Sequence, residues 1–560
     1  MRPFKKKLFL TTTILAFAPS VFAAQSVNLN HQSAALLRPL MTASMSASNQ
    51  AVGIKEVSRT VDARKNLHLH LQETYAGVPV WGGEFILHVP NGATLQGAAA
   101  SMMAAAQIPH SAMNGTLYQD IAGDLASTPK GALADAQLQK ASRLAVDTYQ
   151  QQVGGQLFVS NQQATLMVYV DGANKAHWAY LVKFDVAPPK PDALPARPVY
   201  LLDAVTLQAY QQWDEIQTAQ PSANEIPVDL KRNVKGGGFG GNLKMGKRVY
   251  DGLNDDMPVL NLMRDIATQN CSLENKAVMV QNYNGRVLES FNCKKRDAEH
   301  NYVFWNGDQD AVNGGYSPAN DALFGGAVIK DMYRKWYDVD VLTEAGGRPM
   351  LLKMVVHARM DNAYWDGKQM TFGDGISMFY PLTSLGVAAH EVSHGFTEQH
   401  AGLVYSGQSG GMNESFSDMA SKAAEFYAYG SLSDWDLGGE IVKEEGRALR
   451  YLDQPSKDCY GKTPGNYCSI DKASQYHAGL DVHHSSGVYN RLFYLISTAK
   501  GWDVKKAFDV MVNANQHYWT PTTTFNQGAC GVLLAAKSLG YDSSAILQAL
   551  ELVEINASQC

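Results

Sequence analysis

Cysteine is missing from the first 270 of the chain's 560 residues; all six, Cys271, Cys293, Cys459, Cys468, Cys530 and Cys560, lie beyond that point. Whatever holds the first half together does so without disulfides. Charge is also scarce: Asp, Glu, Lys and Arg make up 18% of the residues, against roughly 25% in an average soluble protein. Together with 45% hydrophobic residues, this excludes a long disordered or acidic-tail protein. Neither sign dominates, since 53 acidic and 47 basic side chains leave a net charge of −6. That balance gives no electrostatic reason to bind nucleic acid or an anionic membrane surface. Long apolar runs are absent too. None reaches the about 18 residues of a membrane-spanning helix, so no membrane partner is expected.

What the chain does have at its start is an export signal over residues 1–23. Arg2, Lys5, Lys6 and Lys7 precede the mostly apolar run Leu8 to Ala18, which is followed by the small-x-small tripeptide Val21-Phe22-Ala23. Cleavage near Ala23 or Ala24 predicts a secreted, extracellular product. No cysteine follows the cleavage site, so a lipid anchor there is not expected. In an exported chain an even number of cysteines reads as a disulfide set. Sequential pairing, Cys271 with Cys293, Cys459 with Cys468 and Cys530 with Cys560, closes the shortest loops. The asymmetry predicts two parts with different fates, of which only the second is long-lived outside the cell.

The length implies about three or four domain-sized units, or two if one is large. From Leu67 to Val89 alternating apolar residues interrupted by Gly-Val-Pro and Gly-Gly predict a hairpin in a small β-rich unit. The helical pattern Leu133 to Tyr149 and the strand-like runs Ala164 to Val170, Trp178 to Phe184 and Val199 to Leu202 predict a second, helix-plus-sheet unit. Between Ala219 and Lys247 the text turns polar and Gly-rich, a linker composition open to proteolytic nicking. The remainder begins strand-like and turn-rich and becomes largely helical from about Val387.

The chemistry is concentrated in Val387-Ala-Ala-His390-Glu391-Val-Ser-His394. In a helix, residues four apart lie about 40° apart around the axis, so His390 and His394 share a face while Glu391 stands to the side. Two imidazoles plus a carboxylate suit zinc with a fourth position open for water, and Glu391 is placed to take a proton without being a ligand. A third ligand is offered by Glu414, with 19 residues between it and His394, enough for a loop and the start of a second helix. Asp418 is one turn further on the same face, where it can fix the outer nitrogen of a ligating histidine.

The text HEVSHGFTEQHAGLVYSGQSGGMNESFSDM resembles the thermolysin-like zinc metallopeptidases, most closely their pseudolysin and vibriolysin branch. The resemblance continues in Asp361 to Trp365, Ala448 to Pro455 and Asp481 to Arg491, and Thr74 to Gly83 is similar to the first propeptide module of that family. It implies an α+β precursor: a signal over 1–23, propeptide modules over 24–120 and 121–220 (the second PepSY-like), a processing linker over 221–240, a β-rich catalytic lobe with the zinc helix over 241–395 and a helical lobe over 396–560. By the same resemblance His390, His394 and Glu414 hold one Zn2+, and Glu391 is the general base. His483, chosen over His484 by motif register, and Tyr405 stabilise the oxyanion, with Asp481 orienting His483. Asn362, Ala363 and Arg450 hold the peptide backbone, and Val387 and Leu449 line the main specificity pocket, which implies cleavage before bulky hydrophobic residues. The implied partners are protein and peptide substrates and the chain's own propeptide, acting as chaperone and inhibitor of a monomeric, self-processing zymogen.

Two departures stand out. The branch builds a calcium site from carboxylates near the zinc helix, yet Gly386 and Lys422 occupy two of those positions. The expectation is that the Lys422 ammonium, among Glu425 and Asp434, replaces Ca2+. The short loop closed by Cys459 and Cys468 falls outside the common pattern and is expected at the cleft rim. The competing readings are a zinc aminopeptidase, whose third ligand comes one residue earlier and which needs an acidic group for a free amine, and a non-catalytic secreted binding protein on the same fold. The presence together of His390, Glu391, His394, Tyr405, Glu414 and His483 argues against lost activity.

Overall fold

A computed structural model describes residues 24–560 except 31, 38–51, 63, 93–104, 126–134, 155–156, 188–193, 217–230, 254–256, 286, 308–309, 433, 461–466 and 559. The expected export signal and most of the Cys459–Cys468 loop lie outside the described residues.

The first unit grows from the alternation in strand Leu67–Tyr75, which turns Leu67, Leu69 and Leu71 onto a core with Phe85, Leu87 and Val89. Its partner Val78–Val89 runs back antiparallel. The hairpin turns at Ala76-Gly77, both with positive φ, as a two-residue loop of this twist requires. Gly82 and Gly83, expected as a break, lie inside the second strand where the register shifts. In the second unit helix Asp135–Val153 covers strands Val159–Val170, Ala176–Val186 and Pro198–Asp203. Val80 pairs with Val168, so one sheet runs through both units and ends at strand Ala209–Asp214.

The Gly-rich stretch expected as linker is structured from residue 231 onward. Strand Lys231–Gly237 pairs antiparallel with Leu260–Asp265, and Phe239–Asn242 pairs with Gly246–Val249. These glycines are there for close approach: a Cβ on Gly236 would lie 2.0 Å from Leu262 Cδ1, and one on Gly237 2.2 Å from the Tyr250 carbonyl. Composition alone cannot separate a flexible glycine from a crowded one. The lobe boundary expected after residue 395 also shifts, because helix Leu385–Gln399 continues through it.

Helix Leu385–Gln399 is the centre of the second half. Ser384 caps it by accepting from the Val387 N–H, and every residue from Leu385 to Thr397 is buried. On one side lies helix Pro318–Tyr337 with the four-stranded sheet of Val278–Asn282, Leu352–Ala358, Ala363–Trp365 and Met370–Gly373. On the other lies helix Gly407–Tyr429, backed by Gly487–Ser497, Val504–His517 and Phe525–Leu539. One continuous core, including Trp365, Phe396, Phe416, Phe508 and Trp519, joins the two lobes. The cysteines pair sequentially as expected, with Cα separations of 5.4, 4.9 and 5.1 Å.

Candidate metal centre and substrate cleft

Two buried helices bring the central side chains together. His390 and His394 project from helix Leu385–Gln399 with their Nε2 atoms 3.0 Å apart. Glu414, wholly buried on helix Gly407–Tyr429, places Oε2 3.6 Å from His390 Nε2 and Oε1 3.3 Å from His394 Nε2. Both outer ring nitrogens face a polar side chain, and that of His394 is hydrogen-bonded. His390 Nδ1 lies 2.8 Å from Asp418 Oδ1. His394 Nδ1 donates to Asn413 Oδ1 at 2.8 Å, while Asn413 Nδ2 donates to the Leu403 carbonyl. With Nδ1 carrying the proton on each ring, both Nε2 lone pairs and a carboxylate converge on one point. Glu414 Oε2 has no hydrogen-bond partner there. One carboxylate and two imidazole nitrogens within 4.8 Å of one another fit a zinc ion.

Asp418 does more than orient His390. Arg450 donates to it through Nε and Nη2, both at 2.7 Å, and Asn490 Nδ2 donates at 2.8 Å. Burial opposes ionisation, but Arg450 and His390 hold the Asp418 carboxyl down at about 2. Arg450, expected to bind a substrate carbonyl, thus has two of its nitrogens committed to Asp418 while it lines the cleft.

Segment Asp481–Ser486 brings His483 to the rim. It seats on helix Gly407–Tyr429 because Gly410 and Gly411 have no side chains: a Cβ on either would lie 2.4 Å from Val482 Cγ1 or Ser485 Oγ. His483 Nδ1 is 2.8 Å from Asp481 Oδ1, and its Nε2 lies 3.3 Å from the Tyr405 hydroxyl. Burial pulls the His483 imidazole down, yet Glu414 and Asp481 leave it above its usual value. Burial and Glu414 push the Tyr405 phenol, which donates to Glu414 Oε1, far above its usual range. The Tyr405 phenol therefore keeps its proton, and His483 holds its second proton more tightly than a free imidazole does. Burial also raises the Glu391 carboxyl, against the opposing pull of His390 and His394.

These groups face a cleft of about 1280 Å3 that also takes in Asn362, Ala363, Val387, Leu449 and His484. Ala363 begins the short strand Ala363–Trp365, which pairs antiparallel with Met370–Gly373 at the end of its sheet and lines the cleft. The first half of the chain closes the cleft from above: Trp81, Gln211 to Asp214 and Ile216 line it, and Ile216 packs on Ala358, Met360 and Tyr364. Sequence reasoning missed Asn413 and Asn490, each adjacent to a motif residue but with no spacing signal of its own.

The fold and this centre define a metal-dependent hydrolase that carries its own cleft-covering segment. The chain matches the descriptions "Thermolysin metallopeptidase, catalytic domain" over residues 245–398, "Thermolysin metallopeptidase, alpha-helical domain" over 401–555 and "Fungalysin/Thermolysin Propeptide Motif" over 53–96. It is 45% identical over 513 residues to the zinc metalloproteinase MspA of Legionella longbeachae, covering 90% of this chain and 89% of the relative. It is 39% identical over 559 residues to the neutral protease of Vibrio proteolyticus, covering 98% and 81%. Among solved structures, the precursor of protealysin from Serratia proteamaculans matches with a TM-score of 0.40 and 22% identity, over 50% of this chain and 87% of that one. The chain belongs to the thermolysin metallopeptidases. It is a zinc-dependent endopeptidase made as a precursor with a propeptide. Among the described residues no helix is long and apolar enough to cross a membrane.

Proposed function

We propose that the protein is a secreted, monomeric, self-processing zymogen that cleaves extracellular proteins and peptides before bulky hydrophobic residues. In this reading residues 1–23 direct export, the modules 24–120 and 121–220 form the propeptide, and maturation cuts between that propeptide and the strand starting at Lys231. The observation that carries it is the convergence of His390, His394 and Glu414 beside Glu391, in a cleft roofed by the chain's own N-terminal half.

His390, His394 and Glu414 hold the zinc, which as a Lewis acid polarises the scissile carbonyl and lowers the pKa of water. Glu391, its carboxyl raised by burial, takes a proton from the attacking water and passes it to the departing amine. The Tyr405 hydroxyl and His483 Nε2 donate hydrogen bonds to the carbonyl oxygen as negative charge develops on it. Asp481 fixes the His483 tautomer. Strand Ala363–Trp365, with Asn362, lines the cleft and binds the substrate as an added strand. Val387 and Leu449 line the pocket for the residue after the cut, and Arg450 supports its carbonyl from the Asp418 side.

The remaining metal question concerns calcium. Where the branch has carboxylates, this chain has Gly386 and the buried Lys422, whose ammonium is paired with Glu425 and Asp434. In our reading that ammonium stands where Ca2+ would.

Hydrolysis of an internally quenched, N- and C-blocked peptide by the mature enzyme tests the assignment. The expected result is cleavage before Phe or Leu that a zinc chelator and Glu391→Ala each abolish, with the variant accumulating as uncut precursor. Cleavage restricted to peptides with a free N-terminus would make it an aminopeptidase. No cleavage despite bound zinc would leave a binding protein.

A further inference from the structure

Histidines from both halves of the chain gather where the first propeptide sheet touches the helical lobe, outside the site described above: His68, His88 and His517 are in contact, and His70 and His400 are near enough to act on them electrostatically. His68, His70 and His88 come from the hairpin Leu67–Tyr75 and Val78–Val89. His400 follows the zinc helix, and His517 ends helix Val504–His517. The His68 and His517 rings stack at 4.4 Å between centroids, and His88 stacks on Tyr518 at 4.8 Å. Thr60 Oγ1 reaches His517 Nδ1 at 3.2 Å across the same contact.

The hydrogen bonds determine which protonation states this contact tolerates. Asn114 Nδ2 donates to the Tyr518 carbonyl at 2.6 Å, which turns Asn114 Oδ1 toward His88. His88 Nε2 therefore donates to that oxygen. In neutral His88 the Nδ1 atom is then an acceptor, and His68 Nδ1 donates to it at 2.7 Å. A second proton on His88 would set two N–H groups against each other. Asp62 is the carboxylate in the cluster, with Oδ2 3.5 Å from His68 Nε2. Burial works against its charge, but the nearby His68 ring and the backbone and side-chain N–H groups of Asn66, which donate to it, hold the Asp62 carboxyl well below its usual range. It can balance one imidazolium. The other charged group close by is Arg64, beside Gly540, and it adds positive charge.

We propose that this histidine contact is an acid-labile latch, so that protonation releases the first propeptide sheet from the helical lobe and weakens the cover over the cleft. The inference rests on reading the N-terminal half as the inhibitory propeptide. Burial supplies the driving force. Desolvation, with His68 and His400 nearby, lowers His70 to about 4 in the docked state, and desolvation likewise lowers His400 and His517. The C-terminal position of His517 on its helix favours its charged form, but burial among other imidazoles outweighs it. A group lowered in the docked state leaves docking intact above its free value of about 6.5 and weakens it as pH falls from there toward the docked value. For His70 that is about thirtyfold weaker docking at about pH 5, with His400 and His517 adding to it.

The test is hydrogen exchange on the zinc-loaded full-length Glu391→Ala chain, which cannot cut itself, between about pH 7.5 and about pH 5, with protection corrected for intrinsic rates. The expected result is that strands Leu67–Tyr75 and Val78–Val89 and segment 516–518 lose protection below about pH 6.5, while helix Leu385–Gln399 keeps it. Adding His70→Gln should restore about thirtyfold of protection at about pH 5, and His400→Gln, from the other side of the contact, should shift protection in the same direction. Either variant alone answers the question if the other does not fold. Protection independent of pH, a loss shared by helix Leu385–Gln399, or the same loss in the folded variants would overturn the proposal. None of these readouts depends on catalysis, so a failure here is separable from a failure of the peptidase assignment.

Discussion

The Lys422 ammonium lies 2.6 Å from Glu425 Oε2, and it is held there by Asp434 Oδ1 at 3.1 Å and by a hydrogen bond to the Asp436 carbonyl at 2.6 Å. Its side chain is 2% exposed. Burial and the neighbouring acids act in opposite directions, and the acids win, raising Lys422 above its usual range. A cation already neutralises this acidic pocket. The thermal unfolding temperature of the Glu391→Ala chain should therefore not change when calcium is added or removed with a calcium-selective chelator. Lys422→Met leaves the partly buried Glu425 carboxylate without its counter-charge and should lower the unfolding temperature. A rise in unfolding temperature with calcium in the unaltered Lys422 chain would refute the substitution.

In the proposed mechanism His483 should determine the alkaline limb of activity. Because Asp481 Oδ1 accepts from Nδ1, the proton that His483 loses on deprotonation is the one on Nε2, the one offered to the substrate oxygen. Activity should fall as pH rises through the raised pKa of this imidazole. Asp481→Asn removes a negative charge and should move that limb to lower pH while the acid limb stays in place. His483→Ala should lower kcat by about 10²–10³ with a smaller effect on KM. An alkaline limb that stays put in Asp481→Asn would assign it to another group.

Asp418 should matter for metal affinity. It lies beside His390 Nδ1 and accepts from Arg450 and Asn490, so Asp418→Asn weakens the orientation of one ligand without removing any. Zinc affinity, read by competition with a chromophoric chelator, should fall about 10–100-fold. Asn413→Ala should act in the same direction through His394. Unchanged affinity in both would mean the ligand rings are fixed by packing alone.

His357 braces the sheet whose strand Ala363–Trp365 lines the cleft. Its ring bridges Asp374 Oδ1 at 2.9 Å and Asp310 Oδ1 at 2.8 Å, and its backbone has a left-handed φ of 67° at an irregularity in the strand register. Burial pulls this imidazole down, but Asp310 and Asp374 push it up to about 10. With the folded value raised, the stabilisation is complete below about pH 6.5 and is lost as pH rises through about 10. Over that range the unfolding temperature of the Glu391→Ala chain should decline more steeply than that of the same chain with His357→Gln. Parallel declines would contradict the assignment.

The candidate metal ligands were legible in the text because helical geometry converts spacing directly into position: a separation of four positions from His390 to His394 puts both rings on one face, whatever the rest of the fold does. The same holds for Glu414 and Asp418 on their shared helix. The hairpin at Leu67–Val89 was legible from alternation, though its turn was not, since Gly77 and the Gly82-Gly83 pair look alike as glycines. Asn413 and Asn490 left no trace, because a single asparagine acquires its partner only when two helices pack.

The sequence by itself determined the centre's chemistry, its helix and the division into a cysteine-free half and a disulfide-bonded half, since these follow from local periodicity and residue type. Only the tertiary structure decided that residues 231–242 are strands packed too tightly for side chains. It alone decided that Arg450 is tied to Asp418 and that the first half roofs the cleft. The gathering of His68, His70, His88, His400 and His517 around one contact is the clearest case. Those residues are spread over most of the chain, and burial among like neighbours, which shifts their protonation, is a property of the packed interface that no local pattern encodes.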